Sequence, residues 1–248
     1  MTTGNPIIHF SNLTLGYDRH PAVHHLEHTI NTGELLAVVG PNGSGKSTLL
    51  KGIIGNLKPL EGEIKFNNIH PAEIAYLPQQ VAIDLNFPIS VFDMVSMGLW
   101  HKVGAFKKFD ANLNAKIHDA LHMVGLCGFE SRPINALSGG QVQRCLFARL
   151  LLQNSQVILL DEPFAAIDTS TIDDLMGLIN SWNKEGRTII AVLHDFELVA
   201  KHFPETLLLA RELVAAGKTS KVITKSNLDK ANKLTKSFKD REVVCCTG

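Results

Sequence analysis

Residues Gly40–Thr48 read GPNGSGKST and lie between the apolar run Leu35–Val39 and a helix-compatible segment, Leu49–Leu57. Strand, glycine-rich loop, Lys-Ser and helix in that order predict a phosphate-binding loop at the start of an α/β unit. Gly40, Gly43 and Gly45 let the backbone curl with several N–H groups aimed inward, and the following helix directs its positive end at the same point. An anion belongs there, cradled by Gly40, Pro41, Asn42, Gly43, Ser44, Gly45, Lys46, Ser47 and Thr48. In such a loop Lys46 reaches the β- and γ-phosphates of a nucleoside triphosphate and the Ser47 hydroxyl becomes a ligand of Mg²⁺.

Working outward, the 248 residues suffice for one sizeable α/β domain or two small ones, and 45% hydrophobic residues suit a filled core. Lysine plus arginine and aspartate plus glutamate number 24 each, so no overall field draws the chain to nucleic acid or an anionic membrane surface; no nucleic-acid partner is expected. Cys127, Cys145, Cys245 and Cys246 show no metal-ligand spacing, and the first two sit in apolar helical surroundings, which points to a reducing, cytosolic compartment. Met1–Pro6 lacks the features of an export signal, and no apolar run approaches the roughly 20 residues that span a bilayer. Membrane contact is expected only through a partner.

Short β-rich runs at Ile7–Leu15, Ala22–Ile30 and Leu35–Val39, punctuated by Gly16, Pro21 and Gly33, predict a small sheet ahead of the loop. Buried-type strands at Ile74–Leu77, Val157–Leu160, Thr188–Leu193 and Thr206–Leu209 alternate with helical segments, the pattern of a parallel sheet covered on both faces. Between Pro88 and Gln153 apolar residues recur at helical spacing (Ile117, Leu121, Val124; Val142, Leu146, Leu150), predicting a helical insertion. The lysine-rich end, Asp229–Gly248, reads as a short helix and a frayed tail.

Inside the helical region lies LSGGQ, Leu137–Gln141, just before a long amphipathic segment. Ser138 occupies a natural N-cap and Gly139 and Gly140 expose backbone N–H groups, a second anion site. After that helix comes VILLDEP, Val157–Pro163, an apolar strand that carries Asp161 and Glu162 to the sheet edge. Neighbouring strand residues point to opposite faces, so the two acids are expected to divide the work: Asp161 toward Mg²⁺, Glu162 toward the γ-phosphate, where it polarises the attacking water.

Nucleotide loop, LSGGQ, VILLDEP and His194 after the next strand, in that order over about Ile7–Leu228, resemble the ATP-binding subunit of an ABC transporter. The resemblance implies a P-loop α/β fold with a RecA-like parallel core, a small antiparallel β subdomain and a helical signature subdomain. The ATP-binding domain would cover residues 6–230, its helical part about 88–153, with a C-terminal tail at 231–248. It implies that Tyr17 stacks on adenine, that Gln79 in YLPQQ joins Mg²⁺ and the transporter contact, that Asp168 in AAID lies at a dimer seam, and that His194 holds the γ-phosphate while Glu162 drives hydrolysis. It further implies a head-to-tail dimer in which Leu137, Ser138, Gly139, Gly140 and Gln141 of one copy complete the ATP and Mg²⁺ site of the other, on the cytoplasmic face of a membrane.

The segment QQVAIDLNFPISVFDMVSMGLW after Gln79, with its spacing to Asp84, Phe87 and Pro88, looks like the manganese, zinc and iron group of importers. Such a subunit serves a separate membrane permease and, through it, an extracytoplasmic metal-binding protein. Siderophore, haem or cobalamin import is the alternative, and a soluble ABC ATPase acting on ribosomes, DNA or cluster assembly is a third; the paired domains, coiled-coil insertion or ferredoxin-like cysteines of that last class are not in the sequence. His20, His24, His25 and His28 cluster on a predicted strand, where alternation puts only His24 and His28 on one side; they read as surface histidines rather than a zinc site.

Overall fold

The structure, a computed structural model, describes residues 4–18, 20–79, 88–100, 110–165 and 167–245. Asp84 and Phe87 of the segment after Gln79, and Cys246, lie outside the described residues. The strands are β1 (Pro6–Tyr17), β2 (His20–Asn31), β3 (Leu35–Val39), β4 (Glu61–Phe66), β5 (Ala75–Leu77), β6 (Val157–Asp161), β7 (Thr188–Val192), β8 (Glu205–Ala210) and β9 (Glu212–Lys218).

Every residue of β3, β6 and β7 is buried. Runs of this kind need cover on both faces, and alternation sends successive side chains to opposite ones. Leu35, Ala37, Val39, Ile158, Leu160, Ile189 and Ala191 join one cluster with the helices of the insertion. Leu36, Val38, Val157, Leu159, Ile190 and Val192 join the other, with Leu49, Leu50 and Ile53 of the helix after the loop, α1 (Lys46–Ile53). The sheet has the order β5-β6-β7-β3-β8-β9, parallel except for the β8–β9 pair. A three-stranded antiparallel sheet, β2-β1-β4, lays Phe10, Leu13, Leu15 and Leu26 on the α1 side of this core. The C-terminal ends of β3, β6 and β7 thus come side by side, where an open parallel sheet places ligands.

Cys127 is exposed in a turn after the helix Ala111–Met123 rather than in the apolar helical setting expected of it, and four further expectations change. LLAVV belongs to the centre of the large sheet, between β7 and β8, because a strand without a polar residue cannot spare a face for solvent as β1 and β2 do. The strands β4 and β9 escaped the sequence reading: EGEIKF and ELVAAGK are mostly exposed or half-buried and are held by pairing to β1 and β8 rather than by an apolar pattern. The C-terminal helix is long, Lys225–Cys245, so the tail expected from residue 231 is its continuation. Leu228, Ala231, Leu234 and Thr235 form a stripe on it, with Ala231 and Thr235 buried, while the lysines occupy the rest of the surface. Finally, His24 and His28 are out of phase. A bulge with His25 at φ 45 lets Val23 and Leu26, three apart, both enter the core, so His28 follows Leu26 inward and His24 does not. His24 instead stacks on Phe238 of the C-terminal helix, ring centroids 5.3 Å apart.

The helical region holds Val91–Ser96, Ala111–Met123 and Gly139–Gln153, each started by a side-chain cap from Ser90, Asp110 and Ser138. Ile117, Leu121, Val124, Leu146 and Leu150 are buried as their spacing predicts, with Val142 packed at the margin.

Candidate functional site

The loop between β3 and α1 needs glycine at two positions for steric reasons. Gly40 has φ 152, and a Cβ there would run into the Leu209 carbonyl oxygen; Gly45 has φ 93, and a Cβ there would strike the Ala22 carbonyl oxygen. The α1 helix that follows carries no acidic residue in its first turn, so the positive end of its dipole faces the loop without local compensation. Lys46 is buried and its Nζ donates to the carbonyl oxygens of Gly40 and Pro41, both at 3.0 Å. Burial pushes its pKa below the ordinary lysine value, opposed by the negative charges of Glu162 and Asp161. An ammonium and two carboxylates therefore feel one another's charge here.

Asp161 ends β6 in phase with Val157 and Leu159, which turns it toward α1. Ser47 Oγ donates to its Oδ1 at 3.1 Å and Tyr76 Oη to its Oδ2 at 3.3 Å. The carboxyl is 2% exposed, and burial raises its pKa against those two hydrogen bonds. Tyr76 is pushed well above the usual tyrosine range, first by burial and then by Asp161, so it stays a donor. Glu162 lies beyond the strand end, in the left-handed region at φ 50, its N–H bonded to the Val192 carbonyl at 3.1 Å. The two acids do face different partners, but a turn separates them rather than the strand alternation that the sequence indicated. Glu162 Oε1 lies 2.6 Å from His194 Nε2 and its Oε2 accepts from Gln79 Nε2 at 2.7 Å. A carboxylate oxygen only accepts, which makes Nε2 of His194 the donor in this contact. His194 follows β7, and the next residue, Asp195, caps helix Phe196–His202 through bonds from the Glu197 and Leu198 N–H groups at 2.9 and 3.0 Å.

The structure thus ties Ser47 to Asp161 and, separately, Gln79 and His194 to Glu162, the next residue in the chain, with Lys46 bonded to the loop carbonyls. Tyr17 is 47% exposed and its hydroxyl accepts from Lys51 Nζ at 3.3 Å. A cavity of about 320 Å³ opens beside the loop, lined by Gly40, Pro41, Asn42, His194 and, from the C-terminal helix, Leu228 and Ala231.

The LSGGQ residues form a second group. Ser138 Oγ accepts from the Gln141 N–H at 3.3 Å and Gln141 Oε1 accepts from the Ser138 N–H at 3.0 Å, a reciprocal capping box. This leaves Gly139 and Gly140 as the first helical residues, while Leu137 packs on the core. Asp168 is close by: a Cβ on Gly140 would come within 3.8 Å of its Oδ2. Asp168 caps helix Thr169–Lys184 and accepts from Ser170 Oγ at 2.5 Å and from Thr171 N and Oγ1, each at 2.9 Å. These bonds hold its carboxyl far below the usual aspartate range. Among the described residues no hydrogen bond joins the LSGGQ residues to Gly40–Thr48.

Two contributors were missed at the level of sequence. Tyr76 stands in plain view in YLPQQ, but only the pairing of β5 with β6 shows that it meets Asp161. Gln143, two residues past the signature, donates to the Pro163 carbonyl at 2.7 Å and so ties the signature helix to the turn that follows Glu162.

The donor chemistry suits Mg²⁺: a hydroxyl and a carboxylate already 3.1 Å apart are hard oxygen ligands at the mouth of a phosphate loop. Among the described residues no group of three or more His, Cys, Asp and Glu side chains could hold a metal ion by itself, and no helix is long and apolar enough to cross a membrane.

Comparison with known proteins agrees with this arrangement. The profile of the ABC transporter family matches residues 23–165. The manganese transport system ATP-binding protein MntB of Halalkalibacterium halodurans is 37% identical over 97% of this chain and 98% of its own length. The zinc transport system ATP-binding protein TroB of Treponema pallidum is 36% identical over 90% of this chain and 86% of its own. Among solved structures, a metal-chelate type ABC transporter in an inward-facing conformation superposes with a TM-score of 0.80 at 31% identity, covering 90% of this chain and 88% of the other. Loop, acidic strand end, histidine and capped LSGGQ helix, on this sheet and with these relatives, make the chain a member of the ABC transporter family, as an ATP-binding subunit.

Proposed function

We propose that this chain hydrolyses ATP to energise a separate membrane permease that imports a divalent metal, manganese or zinc. The observation that carries the catalytic part is the pair of contacts Ser47–Asp161 and Gln79–Glu162–His194, set on consecutive residues of the chain at the end of β6. The names of the relatives support the cargo. A second reading, import of a chelated metal as in siderophore, haem or cobalamin uptake, draws on the likeness to the metal-chelate transporter. The ATP-binding domain runs from residue 6 into the helix Lys225–Cys245, with the helical part at about 88–153, and the chain works at the cytoplasmic face of the membrane with a metal-binding protein on the other side.

In this reading the loop N–H groups and Lys46 hold the phosphates and Tyr17 offers its ring to the adenine. Ser47 and Asp161, with Gln79, would hold Mg²⁺, which supplies positive charge to the β- and γ-phosphates. Glu162 takes the proton from the attacking water as the new O–P bond forms and the bond to the ADP oxygen breaks. His194 donates to Glu162 Oε1 and keeps the carboxylate turned toward the γ-phosphate. Ser138, Gly139 and Gly140 of a second copy close the site, with Asp168 at the seam, so that ATP bridges two protomers and its hydrolysis releases them.

Purified subunit combined with its permease in proteoliposomes should accumulate manganese or zinc when ATP is inside the vesicles. Uptake of a chelate and not of the free ions would transfer support to the second reading, and no ATP hydrolysis at all would overturn both. Within the same preparation, Ser138→Ala is expected to leave nucleotide binding by the monomer intact but to abolish ATP-dependent dimerisation, read by size-exclusion chromatography. It also removes a helix cap, at a cost of about 1 kcal/mol. Ser138→Thr, which keeps a capping hydroxyl, separates stability from dimer formation; dimers as abundant with alanine as with serine would sink the role in trans.

A further inference from the structure

Strands β5 and β6 run parallel with Tyr76 opposite Leu159, so these two side chains share a face of the sheet. Asp161, two residues beyond Leu159, turns to that face as well. The step is about 6.6 Å of strand, and strand side chains lean along their own direction, so a phenol at position 76 spans it and its hydroxyl meets Oδ2 at 3.3 Å. Oδ1 is already taken by Ser47 at 3.1 Å. A carboxylate held at one oxygen turns readily about its terminal torsion, which is broad; held at both, it has one orientation. At 2% exposure Asp161 has little bulk water with which to replace a lost donor. Phenylalanine would fill the ring's place in the packing and leave Oδ2 bare, so the choice of a hydroxyl here affects the carboxylate rather than the core.

We propose that Tyr76 is a positioning residue for the metal-bound nucleotide: its hydroxyl fixes the rotation of the Asp161 carboxylate, so that Asp161 and Ser47 present their oxygens to Mg²⁺ together. This rests on the assignment of Asp161 and Ser47 to Mg²⁺ made above. Tyr76 acts through Asp161, to which its hydroxyl donates.

The test is binding rather than turnover. A fluorescent ATP analogue is titrated against the wild-type chain and Tyr76→Phe, first in EDTA and then with Mg²⁺. In EDTA the two should bind alike. The gain in affinity that Mg²⁺ confers should be about tenfold smaller in Tyr76→Phe, near the low end of what a hydrogen bond to a charged group is worth, with the melting temperature lowered by no more than several degrees. In an Asp161→Asn background the Tyr76→Phe change should make no further difference, since the group it positions is gone. An equal Mg²⁺ gain with and without the hydroxyl would overturn the proposal. So would an equal loss in both backgrounds, which would make Tyr76 a packing residue. Should the wild-type chain itself show no Mg²⁺ gain, the assignment of Ser47 and Asp161 fails first and takes this inference with it.

Discussion

Glu162→Gln is expected to cut ATP turnover by at least about 10²-fold, the lower range for loss of a general base, while ATP still binds. Glutamine has the same shape and meets the backbone demand at φ 50 no worse than glutamate. Its carbonyl oxygen can still accept from His194 Nε2, now at 2.6 Å from Oε1, while the new NH₂ group gives up the bond from Gln79 Nε2. The side chain therefore keeps its place and loses its proton affinity and one hydrogen bond. Because Lys46, Ser47 and the loop are untouched, nucleotide fills the site and is not consumed, so ATP-bound dimers should accumulate. Phosphate release measured by a coupled assay, and dimer content by light scattering in the presence of ATP, check both halves. Turnover equal to that of the wild type would remove Glu162 from the reaction.

Lys46→Ala is expected to weaken ATP binding by about 10- to 100-fold, the scale of a hydrogen bond to a charged group. Two effects combine in it. The ammonium that neutralises phosphate is gone, and the carbonyls of Gly40 and Pro41, each 3.0 Å from Nζ, lose their common donor, which loosens the loop before any ligand arrives. Lys46→Met loses both as well but keeps the apolar stem in its buried slot, so it separates these two effects together from lost packing. Calorimetric titration with ATP should show nearly the same loss for methionine as for alanine if charge dominates. Affinity unchanged in both variants would take the phosphates away from this loop.

The capping geometry links the two halves of the reading. Ser138 and Asp168 both have ordinary structural work, since each starts a helix with its side chain. Asp168 is fully engaged by Ser170 and Thr171, which depresses its pKa, so the stability it adds is present above the unfolded aspartate value and disappears as pH falls through the lower folded value. A role at a dimer seam would be added to that duty.

How much was legible in advance follows from which interactions are local. The phosphate loop, the signature cap and the acidic strand end are short stretches whose chemistry depends on neighbours within a few residues, and all three stand where their residues indicated. The strands β6 and β7, apolar but for Asp161 and Thr188 at their ends, announced a covered parallel sheet because no other environment suits such runs. The strand β4 announced nothing, since its charged residues gain their place only by pairing with β1. The C-terminal helix was read as a tail because its lysines mask a stripe, Leu228, Ala231 and Leu234, that gains its place only by packing on β8 and β9.

By itself the sequence determined the nucleotide chemistry, the family and the kind of fold, since glycine spacing, strand composition and capping residues act over a few peptide units. Only the tertiary structure decided that Glu162 stands on a turn between His194 and Gln79, that Tyr76 meets Asp161, and that His24 faces the C-terminal helix and not His28. The physical reason is register: which side chains meet across paired strands depends on bulges and strand ends, and a shift of one residue there reverses the face of everything that follows.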